Sequence, residues 1–206
     1  MRKTWTYVTP GIPDDLFIRG NVPMTKEEIR AVTLAKARLA PGQVVWDIGS
    51  GTGSIAIEAA RLIGDGIVYA VEQKTEALEL IRKNIDHFNQ KNIQVVEGRA
   101  PEALFPLPAP DRVFIGGSGG KLGEIIQLLA ERLNSGARLI INALTLETLT
   151  QALTLLGPSW GKEVVQVAVT RTVCRGHYHL MQALNPVWLI TAQKEAQKEV
   201  ENEGVG

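Results

Sequence analysis

The chain has 206 residues with 22 basic and 22 acidic side chains, so its formal net charge is zero, and Cys174 is its single cysteine. The charge balance disfavours a nucleic-acid partner, the lone cysteine excludes an intrachain disulfide, and no apolar run is long enough to span a membrane. Met1-Arg2-Lys3 leads into polar residues rather than the apolar run of a signal peptide, so we expect one main domain in the cytoplasm.

The predicted elements begin after an irregular amino-terminal segment, residues 1–24, which is broken by three prolines. Thr25-Lys26-Glu27-Glu28 has the spacing of a capping box and predicts the start of a helix that ends before Pro41-Gly42. Strand and helix patterns then alternate. The predicted strands are 44–48, 67–71, 93–96, 112–115 and 138–141, and the predicted helices are 54–63, 75–88, 122–133 and 145–156.

Two β-like runs, 163–170 and 186–191, end the pattern without a helix between them. Alternating strands and helices predict a three-layer α/β fold around a mostly parallel sheet, here of seven strands. The last two runs predict an antiparallel hairpin at one edge, which is typical of the Rossmann-like fold of class I methyltransferases rather than of dehydrogenases. This domain is assigned to residues 25–192, and the polar tail 193–206 is predicted to be frayed helix or disordered.

A glycine-rich turn follows the first strand, in Asp47-Ile48-Gly49-Ser50-Gly51-Thr52-Gly53. Glycines let the backbone turn sharply and approach a ligand, and the next helix presents unpaired N–H groups. Glu72 ends the second strand about 20 residues after the loop, a spacing that places a carboxylate at the ribose of a bound nucleoside. Together these features predict a site for S-adenosyl-L-methionine (SAM).

Two other interpretations of this loop are weaker. The glycines could serve the turn geometry alone, but this explains neither Asp47 nor Glu72. An NAD site requires Gly-x-Gly-x-x-Gly or a final Ala, and Ser54 occupies that last position when the count begins at Gly49. Asp47 would also repel a pyrophosphate, whereas it tolerates the amino group of SAM.

The SAM prediction assigns a role to each part of the site. The backbone of Gly49, Ser50, Gly51, Thr52 and Gly53 is expected to line the methionine portion. Glu72 is expected to accept hydrogen bonds from both ribose hydroxyls. The turn Gly98-Arg99-Ala100 is expected to flank the adenine through its backbone, because Arg99 stands where many SAM enzymes carry an acid.

A second glycine-rich loop, Gly116-Gly117-Ser118-Gly119-Gly120, follows the fourth strand. In this architecture that strand ends at the ligand crevice. The loop lacks the Asn/Asp-Pro-Pro-aromatic motif of many amine methyltransferases. Its glycines predict a backbone that approaches a large flat substrate closely, and the alternative is a flexible linker.

The chain resembles the cobalt-precorrin C15-methyltransferase (decarboxylating) family of cobalamin biosynthesis. The resemblance runs in order from about residue 11 to 192. It is carried by Ile12-Pro13-Asp14-Asp15-x-Phe17-Ile18-Arg19, Val22-Pro23-Met24-Thr25-Lys26-x-Glu28-x-Arg30, Asp47–Gly53, Gly116–Gly120 and Asn185-Pro186-Val187. The SAM loop is common to a superfamily, whereas the Pro-Asp-Asp segment and the Gly-Gly-Ser-Gly-Gly loop are more specific.

The resemblance implies an activity that the residues alone do not supply. It implies methyl transfer from SAM to C15 of a cobalt-precorrin-6B-type tetrapyrrole, with decarboxylation of the ring C acetate. It also implies SAM contacts at Thr25 and Ala100 and a homo-oligomer, often a tetramer. The C5-methyltransferase to which this domain is sometimes fused would then be a separate chain.

The remaining site predictions concern charge. A substrate with several carboxylates requires cations, and the candidates are Arg19, Lys26, Lys121, Arg171 and Arg175. Lys121 and Glu147 are the candidate acid–base groups. His177 and His179 lack a third ligand, so no metal site is predicted.

Two alternative functions remain open at this point. One is a SAM methyltransferase for tRNA or another small molecule, which the neutral charge and the missing amine-methylation motif disfavour. The other is a non-catalytic SAM-binding protein, which the intact glycines and Glu72 disfavour.

Overall fold

The computed structural model describes residues 5–195. Within this range no helix is both long and apolar enough to cross a lipid bilayer. The helices are α1 (Glu27–Ala37), α2 (Ser54–Leu62), α3 (Thr75–His87), α4 (Leu122–Arg132) and α5 (Leu146–Leu155). The strands are β1 (Val44–Ile48), β2 (Ile67–Glu72), β3 (Ile93–Glu97), β4 (Arg112–Ile115), β5 (Arg138–Ala143), β6 (Trp160–Val167), β7 (Thr170–Arg175), β8 (Tyr178–Ala183) and β9 (Val187–Lys194).

Seven of these strands form one sheet in the order β3-β2-β1-β4-β5-β9-β6. Neighbouring strands from β3 to β5 pair in parallel, whereas β9 pairs antiparallel with both β5 and β6. The predicted seven-stranded, mostly parallel sheet with an antiparallel carboxy-terminal pair is confirmed. The carboxyl ends of β1, β2, β4 and β5 therefore meet at one edge, where ligands bind in such sheets.

Helices cover both faces of the sheet and give it two apolar cores. Val45 packs on one face with Leu34 of α1 and Ala59 of α2. Trp46 packs on the other face with Leu129 of α4. Successive residues of a strand point to opposite faces, so the short apolar run of β1 contributes to both cores and fixes the loop that follows it.

The described part of the amino-terminal segment is irregular apart from one 3-10 turn, and it packs on the rest of the fold. Ile12 and Phe17 are buried. Asn84 of α3 accepts a hydrogen bond from the Ile18 N–H at 2.7 Å and donates one to the Ile18 carbonyl at 3.0 Å. The division of the chain at residues 1–24, 25–192 and 193–206 stays a prediction.

The prediction that Thr25 caps α1 is wrong. The helix begins at Glu27, the N-cap position is Lys26, and no side chain there accepts a capping hydrogen bond. Arg30 donates to the carbonyl of Thr25 at 2.5 Å. Thr25 therefore belongs to the chain segment that enters the helix, and its backbone is engaged by a tertiary contact that the local pattern does not show.

The end of the chain differs from the prediction in two places. Strand β6 spans Trp160–Val167, and β7 and β8 pair with each other in a separate two-stranded sheet, here called the hairpin. Residues 171–179, between the two predicted β-like runs, lie in this hairpin. Strand β9 continues to Lys194, so the first two residues of the predicted tail are strand. The tail from residue 196 onward lies outside the described residues.

Candidate functional site

A cavity of about 570 Å³ lies at the carboxyl edge of the sheet. The loop after β1 and the end of β2 form one side of it. The other side consists of the end of β5, the start of β9 and the two chain segments at the base of the hairpin. The amino-terminal segment and the start of α1 close it, with Thr25 and Lys26 on the wall. The predicted glycine loop therefore borders this cavity.

The glycine loop is held by backbone contacts. The N–H groups of Gly49 and Ser50 both donate to the carbonyl of Val71, at 2.9 and 3.2 Å. Gly49 has a φ of +69°. A Cβ on Gly49 would lie 2.4 Å from the carbonyl oxygen of Gly117. Glycine is thus required at position 49 because the loop after β4 passes directly against it.

Glu72 joins the end of β2 to the glycine loop. Its side chain is almost buried, and one carboxylate oxygen accepts from the Gly51 N–H at 3.0 Å. The other oxygen accepts from the N–H groups of Gln73 and Lys74, at 2.9 and 3.0 Å. A carboxylate has about four acceptor positions, so these bonds leave one for a ligand. Accepting from both ribose hydroxyls requires one of the three backbone bonds to open.

Asp47 lies at the end of β1 with 1% of its surface exposed, and it also lines the cavity. Ser50 Oγ donates to its carboxylate at 2.6 Å. Burial raises the pKa of Asp47 to about 6, although hydrogen bonds from Ser50 and the Ala56 backbone oppose the shift. A cationic ligand near this carboxylate would favour its charged form.

The raised pKa of Asp47 predicts a pH-dependent stability in the absence of ligand. Between an unfolded pKa of about 3.9 and the folded value, the native state holds a proton that the unfolded state has lost. The contribution of Asp47 to the free energy of unfolding should therefore fall as the pH rises from 4 to 6. Asp47→Asn should remove this slope and be more stable at pH 7 by about 2–3 kcal/mol, from roughly two pKa units at 1.36 kcal/mol each. Chemical denaturation at several pH values measures it.

Asp65→Asn serves as the control for that experiment, because Asp65 is exposed. It should keep the slope between pH 4 and 6. An Asp47→Asn protein whose stability still falls over this range would contradict the assignment of the proton to Asp47.

Thr52 carries a buried hydroxyl in the glycine loop. The residue lines the cavity and is 1% exposed, and its hydroxyl has neither a hydrogen-bond partner among the described residues nor surface open to the cavity. A buried hydroxyl without a partner costs free energy. The loop therefore contains one polar group that the described residues leave unsatisfied.

The turn after β3 borders a smaller pocket beside the cavity. This pocket is lined by Gly98, Arg99 and Ala100, and it shares Gly49 and Glu72 with the main cavity. The side chain of Arg99 donates to the carbonyl of Gly119 at 2.8 Å and so joins the turn to the second glycine-rich loop. The pocket has a volume of only about 30 Å³, so the turn predicted to flank the adenine borders a crevice rather than a chamber.

The structure brings most of the predicted site residues together. The main cavity is lined by Thr25, Lys26, Gly49, Ser50, Gly51, Thr52, Glu72, Gly116, Gly117 and Gly119. Ala100 and Ser118 line the smaller pocket. Gly53 is the N-cap residue of α2 and does not line either space, and neither does Gly120.

Several predicted charged residues lie elsewhere. Lys121 forms ion pairs with Glu102 at 2.7 Å and Glu124 at 3.2 Å and does not line the cavity. Arg19 and Glu147 are exposed and do not line it either. These positions give no support to a direct role of Lys121, Arg19 or Glu147 in the site.

Asn142 is a cavity residue that the sequence analysis did not select. It lies near the end of β5 and is 8% exposed. Thr33 Oγ1 lies 2.7 Å from the Ile29 carbonyl and 3.2 Å from the Asn142 amide. The Asn142 atom that faces Thr33 is its amide oxygen, and since a hydroxyl has one proton, Thr33 donates to one of these two oxygens at a time. The signal was an amide that interrupts an apolar strand beside the ligand edge.

Comparison with known proteins identifies the family. A family described as "Precorrin methyltransferase domain" matches residues 15–194. A curated protein of Pyrobaculum calidifontis, named "Probable cobalt-precorrin-6B C(15)-methyltransferase (decarboxylating)", is 47% identical over 92% of this chain and 98% of its own length. The match covers the cavity residues from Val22 to Val187.

Solved structures agree in fold. The precorrin-6y C5,15-methyltransferase of Geobacter metallireducens has a TM-score of 0.87 and 45% identity, and the match covers 91% of this chain and 100% of that chain. A SAM-dependent O-methyltransferase of Thermotoga maritima has a TM-score of 0.73 and 18% identity, with 85% and 68% covered, which indicates a shared fold only. The predicted class I methyltransferase fold is confirmed. With its family match, its relatives and its cavity at the carboxyl edge of the sheet, the chain belongs to the precorrin methyltransferase family.

Proposed function

We propose that this chain transfers a methyl group from SAM to C15 of cobalt-precorrin-6B and decarboxylates the ring C acetate. One observation carries the proposal. A single cavity joins the glycine loop and Glu72 on one side to an apolar chamber with Lys26 on the other. The name of the Pyrobaculum relative, which matches nearly the whole chain, supplies the reaction.

The β1–β2 side of the cavity suits SAM. The loop backbone and the free acceptor position of Glu72 offer polar contacts there. When bound, SAM supplies an activated methyl group through its sulfonium charge. We propose that the adenine lies in the main cavity, flanked by the turn at Ala100, and that Thr25 makes a further contact.

The other side of the cavity suits a large apolar substrate with carboxylates. Ile29, Leu144, Leu184 and Val187 provide apolar surface. The chain aligns the substrate carbon with the donor and excludes water, and this orientation is the main catalytic contribution that we propose. Glycines at 116–120 let the backbone border the substrate without side chains.

Lys26 is the proposed partner of a substrate carboxylate. Its side chain is half-buried on the wall of the cavity and forms no ion pair within the described residues. Lys26→Met should raise KM for the tetrapyrrole about 5- to 30-fold, which corresponds to about 1–2 kcal/mol for a partly exposed charged contact. The affinity for SAM should stay within about twofold. Steady-state kinetics and calorimetry measure the two effects.

Lys83→Met is the matched control, since Lys83 is exposed on α3 and pairs with Glu79 at 3.8 Å. It should leave both constants unchanged. Equal KM values for Lys26→Met and the control would remove Lys26 from the substrate site.

The proposed function is tested by adding SAM and a cobalt-precorrin-6B preparation to the protein and analysing the product by mass spectrometry. A product that gains a methyl group and loses carbon dioxide supports it. Binding of SAM without turnover would leave a methyltransferase with another substrate, and transfer to tRNA would favour the alternative from the sequence. Absence of SAM binding would contradict the cofactor assignment.

We also propose that the chain forms a homotetramer, as the family resemblance implies. The C5-methyltransferase would then be a separate chain. The hairpin supports self-association, because Tyr178 and Met181 are 74% and 70% exposed. A two-stranded hairpin is marginally stable alone, and a partner copy would cover these side chains. Light scattering gives the mass in solution, and a monomer would contradict the proposal.

A further inference from the structure

Strands β7 and β8 pair only with each other and are not hydrogen-bonded to the strands of the seven-stranded sheet. Strand β7 is mostly exposed and β8 is exposed throughout. Since an isolated pair of strands is marginally stable in water, other contacts must set the position of the hairpin relative to the rest of the chain.

The base of the hairpin forms part of the cavity wall. Val169 precedes β7, Leu184 and Asn185 follow β8, and all three line the cavity. The Leu184 N–H donates to the Val169 carbonyl at 2.9 Å and closes the base. A shift of the hairpin would therefore change the shape of the substrate side of the cavity.

Arg171 connects the hairpin to the rest of the protein. Its guanidinium donates to the two carboxylate oxygens of Glu28, at 2.8 and 2.5 Å, and to Asp14 at 3.1 Å. Among the side-chain hydrogen bonds and ion pairs of residues 5–195, those of Arg171 are the ones that join β7 or β8 to another element. The paired geometry with Glu28 fixes direction as well as distance.

One partner of Arg171, Asp14, is held in place by a buried network, whereas the side chain of Glu28 is partly exposed. Asp14 is 8% exposed and accepts from Arg30 at 3.2 Å. Arg30 is fully buried, and it also donates to Glu58 at 2.5 Å and to the carbonyl of Thr25. Thr25 lines the cavity, so one network touches both the wall of the cavity and the hairpin that forms its far side.

The charges of the network require Arg171. Asp14, Glu28 and Glu58 face Arg30 and Arg171. The pKa of Glu28 is lowered, mainly by its hydrogen bond from Arg171, and the pKa of Arg171 is raised, mainly by its hydrogen bond to Glu28. Without Arg171, Glu28 loses its paired partner and the nearly buried Asp14 keeps only Arg30.

We propose that Arg171 is a positioning residue for the tetrapyrrole. It fixes the base of the hairpin against α1 and the amino-terminal segment, and thereby sets the shape of the substrate side of the cavity. The identity of the substrate in this role rests on the proposed function. The structural part of the role rests on the ion pairs of Arg171 with Asp14 and Glu28. The sequence predicts Arg171 as a candidate cation for the substrate, whereas its guanidinium is engaged by Glu28 and Asp14.

The test compares Arg171→Met, Arg171→Lys and the control Arg82→Met, since Arg82 forms an exposed surface pair with Glu97 at 3.6 Å. Arg171→Met should raise KM for the cobalt-precorrin about tenfold, with kcat and the SAM affinity within about twofold, because binding contacts between the substrate and the displaced wall are lost while the SAM side is intact. Arg171→Lys should have a KM between those of the wild type and Arg171→Met. A lysine keeps the positive charge but cannot bind both carboxylate oxygens of Glu28 through two N–H groups as the guanidinium does.

Amide hydrogen exchange over residues 170–184 measures how firmly the hairpin is held, and it needs no substrate. Exchange there should be faster in Arg171→Met than in the wild type and unchanged in the control. Unchanged exchange, or faster exchange with an unchanged KM, would overturn the proposal. If the wild-type protein fails to convert the cobalt-precorrin, the proposed function fails while the exchange result still decides whether Arg171 holds the hairpin. Should Arg171→Met not fold, Glu28→Gln must show the same two effects at smaller size.

Discussion

Replacing Glu72 by alanine is expected to weaken SAM binding by about 1.5–3 kcal/mol, the range for a hydrogen bond to a charged group, or about 10- to 150-fold in Kd. The carboxylate has one acceptor position that its own chain does not use. It also receives the Gly51 N–H at 3.0 Å, so its loss frees the glycine loop that borders the same ligand. Calorimetric titration with SAM measures the effect directly.

Glu97→Ala is the matched control, because Glu97 is the register partner of Glu72 in the neighbouring strand and its side chain is 66% exposed. It should bind SAM as the wild type does. The Kd of Glu72→Gln for SAM should lie between those of Glu72→Ala and Glu97→Ala. The glutamine amide keeps one oxygen acceptor, but its NH₂ group faces backbone N–H donors that now face a carboxylate oxygen. An unchanged Kd in Glu72→Ala would contradict the ribose assignment.

The parallel part of the fold could be predicted because each strand is a short apolar run between turn signals. Strands β1 and β4 have the predicted bounds, and β2 and β3 end one residue later than predicted. The strands of a sheet covered on both faces are apolar along their length, so the pattern marks them clearly. The alternation with helices predicts that these strands pair in parallel.

The hairpin was missed for the opposite reason. In β7 and β8 polar residues such as Arg171 and Thr172 dominate, and nearly every side chain is exposed. Without burial on one face there is no alternation to detect. The strand conformation comes from pairing of the two segments with each other, such as Thr172 with Met181, and sequence periodicity does not report such pairing.

The same contrast holds in the site. The glycine loop and Glu72 could be predicted because their roles depend on local backbone geometry and spacing. The direction of a long charged side chain depends on tertiary neighbours. Lys121 follows the second glycine-rich loop in sequence, yet its ammonium group pairs with Glu102 and Glu124. Which of several lysines and arginines borders the cavity is therefore decided by packing.

Gly49→Ala is expected to have the largest effect on the fold of the site. Its Cβ would lie 2.4 Å from the carbonyl oxygen, 2.7 Å from the nitrogen and 2.9 Å from the Cα of Gly117. The residue also needs a φ of +69°, which costs a non-glycine residue about 1–2 kcal/mol. Overpacking against backbone adds about 1–3 kcal/mol. We expect a loss of about 2–5 kcal/mol in the free energy of unfolding, measured by urea denaturation.

Gly64→Ala separates the two causes, because Gly64 has a φ of +55° and a Cβ there meets nothing within 4 Å. Gly64→Ala should lose only the free energy that the positive φ costs. A Gly49→Ala protein as stable as this control would contradict the clash between the Cβ and Gly117. The contact has a further consequence for binding. Gly49 and Gly117 both line the cavity, so separating them moves the SAM loop and the substrate loop at once. Gly49→Ala should therefore weaken SAM binding by at least about tenfold even where it still folds, which makes the two glycine-rich sequences one structural unit.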